Sequence, residues 1–281
     1  MSLDLLYDPF TLGFMRRALA GCLALSLAGP PLGVFLVLRR MSLTTDVLQH
    51  GILPGIALGA MLGGVSLLAM GAGGLLAGLA VTLLAGWLAR VTAGREDSQL
   101  AAVTLIALAA GVAMISRGRG IDLTHLLFGS VLAVDDAALF LMALVASVSL
   151  LGLAIIWRPL ILQSFDPGFL DALGGNGARW HLAFMGLVVA CVVGGFAALG
   201  TLMSVGLMML PAVAARHFAA TLAGQIRVAA GLALLASYTG LLLSYYADIP
   251  AGPAIVLAAG LAWIVGLLLG RHDSLRAHWR R

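Results

Sequence analysis

Long apolar stretches separated by short arginine-bearing segments constrain this chain more than any other feature. The longest of them runs from Trp180 to Ala215 without one Asp, Glu, Lys or Arg. About 20 apolar residues are enough for a helix to cross a bilayer, and a backbone in hydrocarbon must satisfy its own hydrogen bonds. The pattern therefore predicts an all-α fold, a polytopic bundle of transmembrane helices.

The composition excludes a water-soluble domain. Charged residues make up 10% of the 281 residues and hydrophobic ones 62%, whereas soluble domains carry roughly 25% charge. All 16 basic residues are arginines that stand beside apolar runs, so the net charge of +4 indicates membrane topology and no nucleic-acid partner. Cys22 and Cys191 lie inside apolar runs and are expected to be buried thiols.

The apolar runs predict eight or nine spans in one transmembrane domain, residues 1–281. The expected boundaries are about 18–38, 48–70, 73–89, 100–115 and 137–157, then two spans within 180–215, then 228–246 and 253–269. The two middle spans are expected to turn near Gly200, and Arg158-Pro159 is expected to end the span before them. The segment 122–133 is too short to cross and predicts a re-entrant or surface helix.

The placement of the arginines predicts the orientation. With the C-terminal tail in the cytoplasm and nine spans, the N-terminus lies outside, and most arginines fall on the inner side. The exceptions are Arg16, Arg17, Arg117 and Arg119. Asp4 and Asp8 interrupt the N-terminal segment, which argues against a cleavable leader and for a retained first span. We expect a multi-pass protein of the bacterial inner membrane.

Asp46 and His50 are the sharpest candidates for chemistry. They stand four residues apart at the start of the second span, so their side chains share one helix face. A carboxylate with an imidazole makes half a site for a divalent ion such as zinc or manganese. The alternative is that Asp46 caps the helix and His50 is a packing residue.

Pro54 and Asp248 are weaker candidates for the ion pathway. Pro54 follows the pair by one helix turn, and a proline interrupts a helix and frees a backbone carbonyl. Asp248 falls outside, between the last two spans, where it either receives cations or is a solvated turn residue. The chain has no G-x-x-x-x-G-K motif, so ATP-driven transport would need a separate ATPase.

Five blocks in series resemble the zinc and manganese ABC permease family. They cover most of the chain in family order, and the family's Ser-His-Ala is replaced here by Gln49-His50-Gly51. The blocks are Gly33–Leu43 with Asp46, His50 and Leu53–Gly59; Leu127–Val134; Phe165–Phe169 with Ala172 and Gly174; Leu210–Arg216; and Tyr245–Gly252.

The resemblance implies a mechanism and a set of partners. A homodimer would form one central path for Zn²⁺ or Mn²⁺, lined by Asp46 and His50, with no permanently bound cofactor. Cytoplasmic ABC ATPase subunits would dock on the loop at about 158–179, and an extracytoplasmic metal-binding protein would deliver the ion. The docking residues implied are Phe165, Asp166, Pro167 and Gly174.

Three other functions remain open on the residues alone. A permease for an iron chelate or a vitamin would need a wide apolar or arginine-lined path and no close Asp–His pair. A stand-alone secondary metal transporter would work without an ATPase and would usually contain internal repeats. An intramembrane enzyme would need a nucleophile beside the pair, and none accompanies Asp46 and His50.

Overall fold

The structure is a computed structural model that describes residues 8–64, 66–92, 96–117, 134–165 and 177–278. These residues are almost entirely helical, and none of them lies in a strand. The predicted all-α bundle is confirmed. Within the described ranges the helices of eight residues or more are α1 (Gly13–Leu38), α2 (Thr44–Gly51), α3 (Leu53–Gly63), α4 (Leu67–Val91), α5 (Glu96–Arg117), α6 (Asp136–Phe165), α7 (Gly177–Leu199), α8 (Thr201–Phe218), α9 (Leu222–Ala247) and α10 (Ala251–Leu269).

Seven of the described helices are long and apolar enough to cross a membrane: α1, α4 and α6 to α10. The apolar part of α5, Ser98–Met114, is slightly shorter. The two short helices α2 and α3 follow one another with a single residue, Ile52, between them. Together they supply about the length of one crossing. The chain is a multi-pass membrane protein, as its sequence predicts.

Helix α1 is the centre of the bundle. It is buried along most of its length and packs against α6, α8 and α9. Phe35 on α1 is completely buried and meets the ring of Trp157 edge-on, with 5.4 Å between the centroids. Ser26 and Ser237 share a buried 3.0 Å hydrogen bond that joins α1 to α9. The interior of the bundle is thus closed by apolar contacts and a few paired hydroxyls.

Small residues bring α3 and α4 into backbone contact. A Cβ atom on Gly55 would overlap the carbonyl oxygen of Gly73, and one on Gly59 would overlap that of Ala69. Gly55, Gly59 and Gly63 are spaced by four, so they form one small-residue face along α3. This contact fixes α3, and the α2 segment before it, against the rest of the bundle.

Two predicted span boundaries are wrong. The expected span 48–70 is the pair α2–α3, which begins earlier at Thr44 and ends at Gly63; Gly64 has a φ of +68° and turns the chain into α4. Arg158-Pro159 does not end α6, which has 30 residues and continues to Phe165. A search by hydropathy misses a helix that begins with buried polar residues. It also ends a helix at a proline, although a long helix can tolerate one.

The long apolar run divides at Gly200, as predicted. Gly200 has φ +90° and ψ 165°, a backbone conformation essentially restricted to glycine. It is the single residue between α7 and α8, and it is buried. Ser204 Oγ donates to the carbonyl of Val192 at 3.2 Å, which ties the start of α8 back to α7.

Polar contacts group the helix ends into two sets. Arg17 lies 3.1 Å from Asp136 at one end of the bundle. At the other end Arg216 lies 3.6 Å from Asp273, and the backbone N–H groups of Arg271 and His272 donate to the carbonyl of residue 217. Each set joins residues that the sequence assigns to one side of the membrane. The assignment of the second end to the cytoplasm stays a prediction from arginine placement.

Candidate ion-pathway site

The candidate pair lies on α2, a helix with a polar beginning and a buried back. Thr44, Thr45 and Leu48 are buried against the bundle, whereas Asp46 is exposed and His50 is half-buried. Asp46 and His50 are one helical turn apart on the same face. The structure thus keeps the two side chains together and points them away from the protomer's own core.

Asp46 does not act as a helix cap. Leu43 occupies the N-cap position of α2 and makes no side-chain cap bond. The Asp46 carboxylate instead accepts a 2.7 Å hydrogen bond from Nε2 of Gln49. His50 makes no hydrogen bond or ion pair with the part of the chain that the structure describes. The imidazole and one carboxylate oxygen are therefore available to an ion.

The pair belongs to one stripe that continues along α3, exposed at its two ends and half-buried at His50 and Pro54. Its members recur every three or four residues, so they lie on a single face of two consecutive helices. Apart from Asp46, His50 and Pro54 the stripe is apolar. The exposed apolar side chains along it are Leu43, Leu58 and Leu62, exposed to 75%, 48% and 86%.

Buried polar atoms without partners surround α2. Oγ1 of Thr45, Oε1 of Gln49 and Oγ1 of Thr104 have no hydrogen-bond partner among the described residues. Thr104 comes from α5, where its hydroxyl lies against Gly51. Leaving such an atom unpaired costs about 1–3 kcal/mol, so three of them around one helix indicate a polar region inside the membrane bundle.

The helix interruption expected at Pro54 lies two residues earlier, at Ile52. Pro54 stands in the first turn of α3, where a missing N–H costs little. Because Pro54 has no N–H, the carbonyl of His50 lacks the donor that a regular helix would supply four residues later. Pro54 itself is half-buried and packs against Gly111 of α5.

Asp248 lies at the opposite end of the bundle from the pair. It ends α9 with a left-handed backbone, φ 53° and ψ 40°, and its side chain is exposed. Because α9 runs antiparallel to α1 (Ser237 meets Ser26), Asp248 lies beside the start of α1, whereas α2 follows the end of α1. Asp248 is thus not brought together with Asp46 and His50.

The predicted docking loop at about 158–179 overlaps the ends of two helices. Residues up to Phe165 belong to α6 and those from Gly177 belong to α7, which leaves 166–176 between them. Phe165 is 67% exposed at the end of α6. Asp166, Pro167 and Gly174 lie outside the described residues, and so does the predicted short helix at 122–133.

The described residues of one protomer do not complete a metal site. No group of three or more His, Cys, Asp or Glu side chains that could hold a metal ion occurs among them. Cys22 and Cys191 are free and buried, as expected, and take no part. A cavity of about 370 Å³ lies elsewhere, between α4 and α7, lined in part by Trp87, Arg90 and His181. Asp46 and His50 stay predicted ligands, two from each protomer.

Sequence reasoning missed what Gln49 does. It identified Gln49 as a departure from the family pattern but could not assign it a partner. The separation of three residues was the available signal, because side chains at i and i+3 are neighbours on a helix. The structure adds that the amide group binds the candidate carboxylate.

Comparison with known proteins agrees with this geometry. Residues 11–270 match the model of the ABC 3 transport family. The manganese import system permease protein ScaB of Streptococcus gordonii is 31% identical over 257 residues, 91% of each chain. ScaB of Streptococcus parasanguinis is 29% identical over 266 residues, 94% of each chain.

A solved structure extends the similarity to three dimensions. PsaBC from Streptococcus pneumoniae, in complex with Fab, superposes with a TM-score of 0.83 at 26% identity and covers 99% of this chain and 100% of that chain. The resemblance drawn from the sequence blocks is thereby confirmed. The fold, the shared helix order and the match over nearly the whole chain lead to one conclusion: this protein is a member of the ABC 3 transport family.

Proposed function

We propose that the chain is the membrane-spanning permease subunit of an ABC importer for Mn²⁺. The observation that carries the proposal is the Asp46–His50 pair on α2, with Asp46 exposed and His50 half-buried, which offers a carboxylate oxygen and an imidazole on one helix face. Carboxylate ligands suit Mn²⁺, and imidazole accepts several divalent transition metals. The relatives named as manganese import permeases support Mn²⁺ over zinc.

Two copies of the chain would complete the path. A carboxylate within a membrane segment is costly, and charges there usually face a bundle interior or an aqueous cavity. The exposed Asp46 therefore needs cover, and the apolar stripe on which it lies suits a second copy of itself. A two-fold arrangement would bring two carboxylates and two imidazoles to one axis.

Such a site would hold the ion transiently. Conduction needs binding that is strong enough to admit the ion and weak enough to release it. Energy would come from separate ATPase subunits bound to the segment 166–176, and an extracytoplasmic metal-binding protein would deliver the ion.

Uptake of Mn²⁺ and Zn²⁺, measured in parallel in cells that carry the chain and its partner ATPase, tests the proposal. Asp46→Ala and His50→Ala should each reduce Mn²⁺ uptake by at least about tenfold, as loss of one ligand or its support usually does. Asp8→Ala and His272→Ala are the controls, since both residues lie outside the helices that carry the pair. Normal uptake by the two α2 variants, at wild-type protein levels, would remove the pair from the pathway.

The same experiment separates the alternatives. If Asp46→Ala and His50→Ala abolish Zn²⁺ uptake and leave Mn²⁺ uptake unaffected, the substrate is Zn²⁺. Uptake that persists when the partner ATPase carries an inactivated ATP site would identify a secondary transporter. Uptake of an iron chelate in place of either ion would favour the chelate permease.

A further inference from the structure

The guanidinium of Arg39 joins three helices at the end of α1. Its Nη2 donates to Oε1 of Gln163 at 2.6 Å, and its Nε donates to Oγ of Ser164 at 3.1 Å. Its Nη1 lies 3.1 Å from Nδ1 of His181, which must accept because an arginine can only donate. The charge also lies over the ring of Phe184, 5.1 Å from its centroid.

These partners flank the segment 166–176 on both sides. Gln163 and Ser164 lie in the last turn of α6, and His181 lies at the start of α7. Gln163 also donates from Nε2 to the carbonyl of Gly177 at 2.8 Å, so its amide joins the two ends of the segment directly. Arg39 therefore contacts both helix ends that border the segment 166–176, Gln163 and Ser164 on α6 and His181 on α7.

An aromatic layer supports the same junction one turn deeper in the membrane. Phe35 contacts Trp157 of α6 at 5.4 Å and Phe184 of α7 at 6.2 Å, centroid to centroid. Phe35 and Phe184 are fully buried. The planar guanidinium of Arg39 has its hydrogen bonds satisfied and lies next to packed aromatic rings. Because the guanidinium is planar and pre-organised, it loses little conformational freedom in making these bonds, and the junction is rigid.

In the sequence, Arg39 begins the connection to α2, the helix that carries the candidate pair. The connection between α1 and α2 is residues 39–43, and it is held by backbone hydrogen bonds from Met41 to Leu36 (2.8 Å) and from Thr44 to Met41 (3.1 Å). Asp46 lies in the first turn of α2. A displacement of the ends of α6 and α7 would therefore reach the start of α2 through this short, hydrogen-bonded connection.

We propose that Arg39 is the positioning residue that transmits movement from the ATPase-docking segment to the ion-binding helix α2. Arg39 begins the α1–α2 connection, and its guanidinium binds the ends of both α6 and α7. These three parts of the chain therefore move together. This inference rests on the proposed function, in which an ATPase binds 166–176. It makes Arg39 necessary for coupling and not for ion binding.

The test uses the complete transporter, with its partner ATPase, in lipid nanodiscs or proteoliposomes. ATP hydrolysis and Mn²⁺ transport are measured on the same sample, so that ions moved per ATP can be compared. Arg39→Gln should retain ATPase assembly and hydrolysis but lower the ions moved per ATP by about tenfold, the scale of one lost charge-assisted contact. Arg39→Lys keeps the charge without the fork and should lie between Arg39→Gln and the wild type.

Arg40→Gln is the matched control, because Arg40 is exposed next door and its guanidinium bonds to none of the described residues. Gln163→Asn is a milder second variant, which keeps the amide but shortens its reach to Arg39 and Gly177; it should also uncouple, and it decides the matter if Arg39→Gln fails to assemble. Wild-type coupling in Arg39→Gln, or in Gln163→Asn when Arg39→Gln does not assemble, would overturn the inference. ATP-independent transport by the wild type would instead overturn the proposed function.

Discussion

The side chain of Gln49 donates a 2.7 Å hydrogen bond to Oδ1 of Asp46 within the same helix. The bond fixes one carboxylate oxygen and leaves Oδ2 for an ion. Partners of this kind orient metal ligands, and their loss typically costs 10–100-fold in metal affinity or activity. We therefore expect Gln49 to orient the carboxylate of Asp46.

Gln49→Ala should therefore weaken Mn²⁺ transport without abolishing it. We expect the KM for Mn²⁺ to rise by about tenfold, because the carboxylate is no longer held in position. Transport rates against Mn²⁺ concentration measure this. Gln99→Ala is the control, since Gln99 bonds only weakly, at 3.5 Å, to Thr92. An unchanged KM would show that Asp46 needs no support from Gln49.

Gly55 is a site where added volume should destabilise the bundle. Gly55→Leu would force the backbones of α3 and α4 apart at Gly73, and overpacking of this kind costs about 1–3 kcal/mol. The melting temperature in detergent should fall. Gly71→Leu should leave it nearly unchanged, because a Cβ at Gly71 meets nothing within 4 Å. Equal melting temperatures for both variants would contradict the close contact.

Gly200 should tolerate no side chain at the turn between α7 and α8. With φ at +90° and ψ at 165°, any L-residue carries strain of about 1–3 kcal/mol. Gly200→Ala should lower thermal stability by that amount, and Gly13→Ala, in open space at the start of α1, should not. A stable Gly200→Ala protein would mean that the turn adopts another backbone conformation.

The Ser26–Ser237 hydrogen bond should be measurable by a double-mutant cycle. Each single change to Ala leaves a buried hydroxyl unpaired, whereas the double change removes both. Hydrogen bonds between membrane helices average about 0.6 kcal/mol by this method. We expect a coupling energy of that size between α1 and α9. Strict additivity of the two single effects would argue that the hydroxyls do not interact.

Much of the fold follows from hydropathy alone. The apolar run 180–215 predicted two helices and a turn at Gly200, because its length exceeds one crossing and a glycine stands near its middle. Hydropathy failed to predict the helix boundaries where polar residues are buried or a proline lies inside a helix. Thr44 and Thr45 are polar yet buried in α2, and Pro159 lies inside a helix that packing holds together.

The candidate site divides in the same way. The four-residue spacing of Asp46 and His50 placed both side chains on one face, since helix geometry is local. The bonds of Gln163 and His181 to Arg39 join residues more than 120 positions apart, and no local pattern predicts them. Asp248 is predicted to lie outside, between the last two spans, and the antiparallel course of α9 places it at the end of the bundle away from the pair; its part in the pathway stays a prediction.

Helix α6 is longer than the membrane requires. Its 30 residues extend about 45 Å, against a hydrocarbon core of about 30 Å. About 15 Å of rod can therefore stand clear of the lipid tails, counted over both ends of the helix. A protein with no water-soluble domain among its described residues thus still has helix length to spare outside the hydrocarbon, on a rod that packs against α1 and is bonded to Arg39 near its end.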